Sequence, residues 1–114
     1  MTDEIRIYLD DLRPTPMGIY GSLERPAVPY THRCYTSQEA IDLLKTGKVT
    51  FISFDHDLGA PENGTGYDVA RWIEKAVWAG HIPMPKYAIH SANPVGVKNI
   101  DAAMKSAERA WETE

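Results

Sequence analysis

Three short apolar runs divide the chain, and each stops abruptly at polar, chemically capable residues. Ile5-Arg6-Ile7-Tyr8-Leu9 is too short for a helix and ends at Asp10-Asp11, the pattern of a central strand running into a polar loop. Phe51-Ile52-Ser53-Phe54 repeats the pattern and ends at Asp55-His56-Asp57. Tyr87-Ala88-Ile89, a third buried-strand candidate, ends at His90-Ser91-Ala92-Asn93. A fourth strand is expected within Tyr30 to Tyr35, at an edge, because its apolar content is low and prolines precede it.

Helical signals lie between the runs. Thr36-Ser37-Gln38-Glu39 reads as a capping box opening a helix from Ser37 to about Lys45, stopped by Gly47. After the turn Gly59 to Gly66, the positions Val69, Ile73, Ala76 and Val77 share one helical face, with Trp72 beside it and Gly80 as the stop. Asn93 and Pro94 read as N-cap and first residue of a last helix, along which Ile100, Met104, Ala107 and Trp111 recur. Residues 12–29 hold four prolines and two glycines and are expected to form a long loop, suited to a lid or a protein-partner surface.

Strands alternating with helices imply parallel pairing, right-handed crossovers and helices on both faces. The expected fold is α/β, a flavodoxin-like three-layer sandwich with a four-stranded parallel sheet in the order 2-1-3-4. One domain covers residues 1–114. In such a sheet the carboxyl ends of the strands open on one edge. The three polar strand ends therefore converge, although far apart in sequence.

Composition narrows the function. No apolar stretch approaches the ~20 residues of a bilayer crossing, and Met1-Thr2-Asp3-Glu4 opens no secretory signal, so no membrane association and a cytoplasmic location are expected. The single cysteine, Cys34, forms neither an internal disulfide nor a thiolate zinc cage by itself. A formal charge of −4 argues against nonspecific coating of nucleic acid, while leaving open a phosphate-bearing small molecule or an RNA end. Setting aside Asp10, Asp11, Asp55 and Asp57 leaves twelve acids against twelve bases, which assigns the excess to one crevice.

Two carboxylates about 4 Å apart repel by about 4 kcal/mol at an effective dielectric of 20. Several such pairs rival the ~5–15 kcal/mol stability of a domain, so the cluster calls for retained protons or a cation. Carboxylate oxygens suit Mg²⁺ or Mn²⁺, and His56 and His90 widen the choice to Fe²⁺ or Zn²⁺. The metal candidates are Asp10, Asp11, Asp55 and Asp57. His56 and His90 are candidates for proton transfer or ligation, and Arg13 for offsetting phosphate charge. Ser91 could hydrogen-bond a phosphoryl oxygen. The turn Gly64-Thr65-Gly66 could receive an anion on its amides, although Thr65 with Asp68 also fits a capping box. His32, His81 and Cys34 lie off the edge, and Trp72, Trp78 and Trp111 read as packing residues rather than base-stacking platforms.

Tyr-Leu-Asp-Asp at 8–11, Asp55 and Ser91 resemble the acidic pocket of response-regulator receiver domains. That resemblance implies Asp55 as phosphoryl acceptor, Asp11 and Asp55 as Mg²⁺ ligands supported by Asp10, and Ser91 as the hydroxyl contacting the phosphoryl group. Receivers continue into a fifth strand that ends in a lysine, and a truncated domain lacking both is expected here. Leu-Asp-Asp-Leu-Arg-Pro at 9–14, Phe-Asp-His-Asp-Leu-Gly at 54–59, Thr-Gly-Tyr-Asp at 65–68 and His-Ser-Ala-Asn-Pro at 90–94 resemble the receiver-derived family predicted to process cyclic phosphates. This second resemblance implies metal-dependent phosphoester hydrolysis. On the residues themselves, a cation held by Asp11 and Asp55, with Asp10 and Asp57 assisting, would activate water, His56 or His90 would move the proton, and Arg13 would offset the developing charge. A phosphoryl-accepting receiver and a noncatalytic nucleotide- or protein-binding module are the alternatives.

Overall fold

The computed structural model describes residues 4–11 and 30–113. Its elements are β1 (Ile5–Leu9), β2 (His32–Cys34), α1 (Ser37–Leu44), β3 (Val49–Phe54), α2 (Gly66–Trp78), β4 (Lys86–Ile89) and α3 (Pro94–Glu112). The strands form one parallel sheet in the order β2-β1-β3-β4, as the alternating pattern requires. This is a receiver-like α/β fold of the flavodoxin type. The long loop expected at 12–29, and Arg13 within it, lie outside the described residues.

Local chemistry starts the helices where the sequence signals them. Thr36 and Glu39 make both bonds of a capping box at α1, as do Thr65 and Asp68 at α2. Asn93 caps α3 by accepting from the Gly96 amide at 3.0 Å, with Pro94 as the first helical residue. β3 begins at Val49, two residues before the apolar run that signalled it.

The pleat sends alternate residues to opposite faces. Ile5, Ile7, Leu9, Ile52 and Phe54 join the core beneath the helices, together with Val69, Ile73 and Val77 of α2 and Ile100, Met104 and Ala107 of α3. The steps β2 to β3 and β3 to β4 cross the sheet in the same direction, so right-handed crossovers put α1 and α2 on the same face, and α3 packs along α2. The three described helices thus form one layer. The opposite face carries Arg6, Tyr8, Phe51 and Ser53. There Arg6 lies 4.8 Å from the Phe51 centroid, and Tyr30 bridges Tyr8 and Phe51 at ring separations of 5.2 and 5.9 Å.

Two expectations need correcting. The run ending at Ile89 is not buried: at the edge that the order 2-1-3-4 assigns it, β4 pairs among the described residues with β3 alone and leaves Lys86 and Ala88 exposed. Trp78 and Trp111 are 56% and 48% exposed rather than packed, whereas Trp72 does pack on the core. The buried stripe of α3 runs through Ala110, and position 111 falls about 100° further around the helix.

Candidate metal centre at the sheet edge

The strand ends are registered with one another by the backbone. The ladder continues one residue past each strand: Asp10 N–H donates to Cys34 O at 3.1 Å, Asp55 N–H to Leu9 O at 2.9 Å, and His90 N–H to Phe54 O at 2.8 Å. Three residues at the same level of neighbouring strands are thereby held at one edge. Their side chains meet: one carboxylate oxygen each from Asp10 and Asp55 and one ring nitrogen of His90 lie within 4.8 Å of one another. Among the described residues, this is the group compact enough to hold a metal ion.

Burial raises what is at stake. Asp10 is fully buried and Asp55 only 9% exposed, so neither carboxylate can rely on bulk water for solvation. His90 Nε2 lies 3.0 Å from Asp10 Oδ2, and its Nδ1 lies 2.7 Å from Ser53 Oγ. The Asp55 carboxylate accepts the His56 amide at 2.8 Å. The Asp10 carbonyl accepts Arg33 Nε–H at 2.8 Å, which ties β2 to the site. No buried side-chain donor or acceptor among the described residues lacks a partner.

The donor set suits a small divalent cation. Ligands around an octahedral ion at about 2.1 Å are roughly 3–4 Å apart, within modest contraction of the observed grouping. Two carboxylate oxygens with one imidazole favour Mn²⁺ as readily as Mg²⁺. An imidazole that ligates through Nε2 keeps a proton on Nδ1, and Ser53 Oγ stands where it can accept that proton's hydrogen bond.

The remaining sequence candidates are distributed differently. Asp11 is half-buried and rests against the β3–α2 loop, with Oδ2 3.0 Å from where a Cβ on Gly59 would stand. It lies outside the compact group, as does Asp57, whose side chain is 68% exposed and faces His56 Nδ1 at 2.9 Å. The charge excess therefore does not collect in one crevice: Asp57 points to water. Hydrogen bonding from His56, assisted by Asn93, holds the Asp57 carboxyl below its usual range. Ser91 Oγ accepts the Asn93 amide at 3.1 Å and shapes the turn into α3.

The amides of the glycine turn are donated internally. Gly64 N–H meets Pro61 O at 3.1 Å, Thr65 N–H meets Asp68 Oδ2 at 3.0 Å, and Gly66 N–H meets His56 O at 2.9 Å. The turn builds the site from behind instead of offering an anion cradle, and a Cβ on Gly66 would collide with the Asp55 carbonyl oxygen. Glycine at 66 is what lets α2 start directly against the strand end that carries Asp55.

Three participants were not singled out from sequence. Ser53 had a signal, a hydroxyl interrupting the run Phe51-Ile52-Phe54. Tyr8 packs flat on His90, and Arg33 lies 5.5 Å from the Tyr8 centroid and 4.6 Å from that of Tyr35. Both occupy strand positions whose partners become visible only once the register is known.

These features define a receiver-like α/β domain whose carboxyl edge carries a buried acid–histidine cluster. A sequence model of the cyclic-phosphate processing receiver domain matches residues 5–106, and the chain belongs to that family. No curated protein matches the chain, and no solved structure does. No described helix is long and apolar enough to cross a membrane.

Proposed function

We propose that this protein is a divalent-metal-dependent phosphoesterase acting on a cyclic or terminal phosphate of a nucleotide or RNA. The observation that carries the reading is the grouping of Asp10, Asp55 and His90 within 4.8 Å at one sheet edge. Family membership supports it, because the family's description concerns cyclic phosphates. Asp10, Asp55 and His90 are the ligands in this reading, with Mg²⁺ or Mn²⁺ as the ion. Bound there, such an ion supplies Lewis-acid polarisation of a phosphoryl oxygen and lowers the pKa of water.

The chain's own groups supply positioning and proton transfer. Ser53 and Tyr8 fix the His90 ring, one by a hydrogen bond and the other by stacking. His56 is the proton-transfer group, since its side chain is 18% exposed and the Asp57 carboxylate orients it through Nδ1. In hydrolysis of a cyclic phosphate, water oxygen bonds to phosphorus and gives up one proton, one ester P–O bond breaks, and the released ribose oxygen takes a proton from His56, which the proton lost by the water restores. A cytoplasmic setting and a protein partner at residues 12–29 complete the proposal.

Purified protein should be incubated with Mg²⁺ or Mn²⁺ and a panel of 2′,3′- and 3′,5′-cyclic nucleotides and terminal phosphates. Metal-dependent release of phosphomonoester or inorganic phosphate, lost in Asp55→Ala, supports the reading. Absence of turnover with every metal and substrate rejects it, and a stable mass gain on Asp55 from acetyl phosphate would replace it with a phosphoryl acceptor.

A further inference from the structure

An aromatic ring stands exposed beside the buried cluster. In the β1–β2 pairing Leu9 faces Cys34, so the next residues, Asp10 and Tyr35, are neighbours at the strand ends. Both follow the pleat to the face opposite the three described helices, where Tyr8 and Arg33 precede them by two residues. The Tyr35 residue is 50% exposed. It is nevertheless held in place: its amide donates to Glu39 Oε1 at 2.6 Å, and the Arg33 guanidinium lies 4.6 Å from its ring centroid.

The same guanidinium is 5.5 Å from the Tyr8 ring, and its Nε–H is bonded to the Asp10 carbonyl. Tyr8 stacks on His90 at 4.6 Å. A continuous run of planar groups, Tyr35, Arg33, Tyr8 and His90, therefore leads from solvent to the cluster. A surface ring backed by a cation is a preorganised platform for another π-system, because cation–π contact fixes the ring without covering both of its faces. Nucleobases stack on such rings regardless of their identity.

We infer that Tyr35, backed by Arg33, is the stacking platform for the base of a nucleoside phosphate whose phosphate lies at Asp10, Asp55 and His90. The inference rests on the phosphate site proposed above and narrows its substrate class to esters carrying a base adjacent to the phosphate. Base-free sugar phosphates lack the group that the platform takes.

The test is binding to the full chain with Mn²⁺ present, using phosphonate analogues of adenosine 5′-phosphate and of ribose 5-phosphate, which undergo no hydrolysis. Wild type should prefer the base-bearing analogue by about tenfold or more. The preference should vanish in Tyr35→Ala and survive in Tyr35→Phe, with thermal melts showing that both variants fold. No preference in wild type, or a preference that persists in Tyr35→Ala, overturns the inference. Substrate turnover without a Tyr35-dependent preference would sink the platform and leave the phosphoesterase reading standing. A Tyr35-dependent preference without turnover would do the reverse. A short RNA ending in a 2′,3′-cyclic phosphate separates the sources: tighter binding than the mononucleotide indicates an RNA end, equal binding a free nucleotide, and either is compatible with the platform.

Discussion

The imidazole of His90 lies flat against the ring of Tyr8, with centroids 4.6 Å apart and planes 4° from parallel. Stacking fixes the tilt of the imidazole, and two hydrogen-bond partners fix its rotation, Ser53 at Nδ1 and Asp10 at Nε2. A ring so constrained has little rotamer freedom left to lose when it engages a ligand, which favours binding.

Ser53→Ala removes the partner of His90 Nδ1 without changing the shape of the strand. Mn²⁺ affinity, read by calorimetric titration, should fall by about 10–100-fold, the range typical of lost supporting hydrogen bonds to a ligating histidine. Affinity within twofold of wild type would show that Ser53 has no part in orienting the ring.

Metal addition should stabilise the fold through the same residues. At an ion concentration of about 100 times Kd, linkage gives roughly 2.7 kcal/mol, which for a domain near this size raises Tm by about 10 °C or more. A chelator should reverse the gain. Asp10→Asn, close in shape but without the charge, should melt at the same temperature with and without Mn²⁺, as differential scanning calorimetry would show.

Gly66→Ala should destabilise by about 1–3 kcal/mol or more in urea titrations, since the added Cβ drives into the Asp55 carbonyl. Gly47→Ala provides the contrast: nothing surrounds its Cβ position, and its φ of +76° makes the cost conformational, about 1–2 kcal/mol. Only the substitution at 66 should also weaken Mn²⁺ binding, because only it displaces a strand end of the site.

Cys34 is 2% exposed, and burial, with the nearby Glu39 charge, pushes its thiol from 9.0 up to about 12. Thiol reagents at pH 8 should leave the folded protein unmodified and react fully in urea. Because the folded pKa is raised, the associated stability is complete below the unfolded value and is lost as pH climbs from about 9 toward 12. The stability difference between wild type and Cys34→Ala should narrow across that alkaline window, and a constant difference would contradict the assignment.

Much of the architecture could be read from local patterns. Capping boxes at Thr36 and Thr65, the Asn93-Pro94 start and short apolar runs ending in acids are written within a few residues of one another, and their energetics are equally local. Alternation of strands and helices then restricts the sheet to few topologies, and the observed order is among them. The burial expected of Tyr87-Ala88-Ile89 fails because an apolar run does not encode how much of an edge strand its neighbours cover, and β4 is covered on the β3 side.

The sequence by itself determined that acids and histidines stand at the ends of parallel strands, because residue type and strand termination are properties of contiguous chain. Which of them meet was decided only by tertiary structure. Backbone bonds from Asp10, Asp55 and His90 to the preceding residues of adjacent strands set those three at one level. Asp57, two residues past Asp55, stands outside the cluster and is exposed to water, hydrogen-bonded to His56 Nδ1 and Asn93. Sidedness explains the difference: a strand end delivers its first residue to a face set by the pleat and register, whereas the next residues follow the loop. The same register brought in Ser53, Tyr8 and Arg33, whose roles depend on partners 23 to 82 residues distant in the chain.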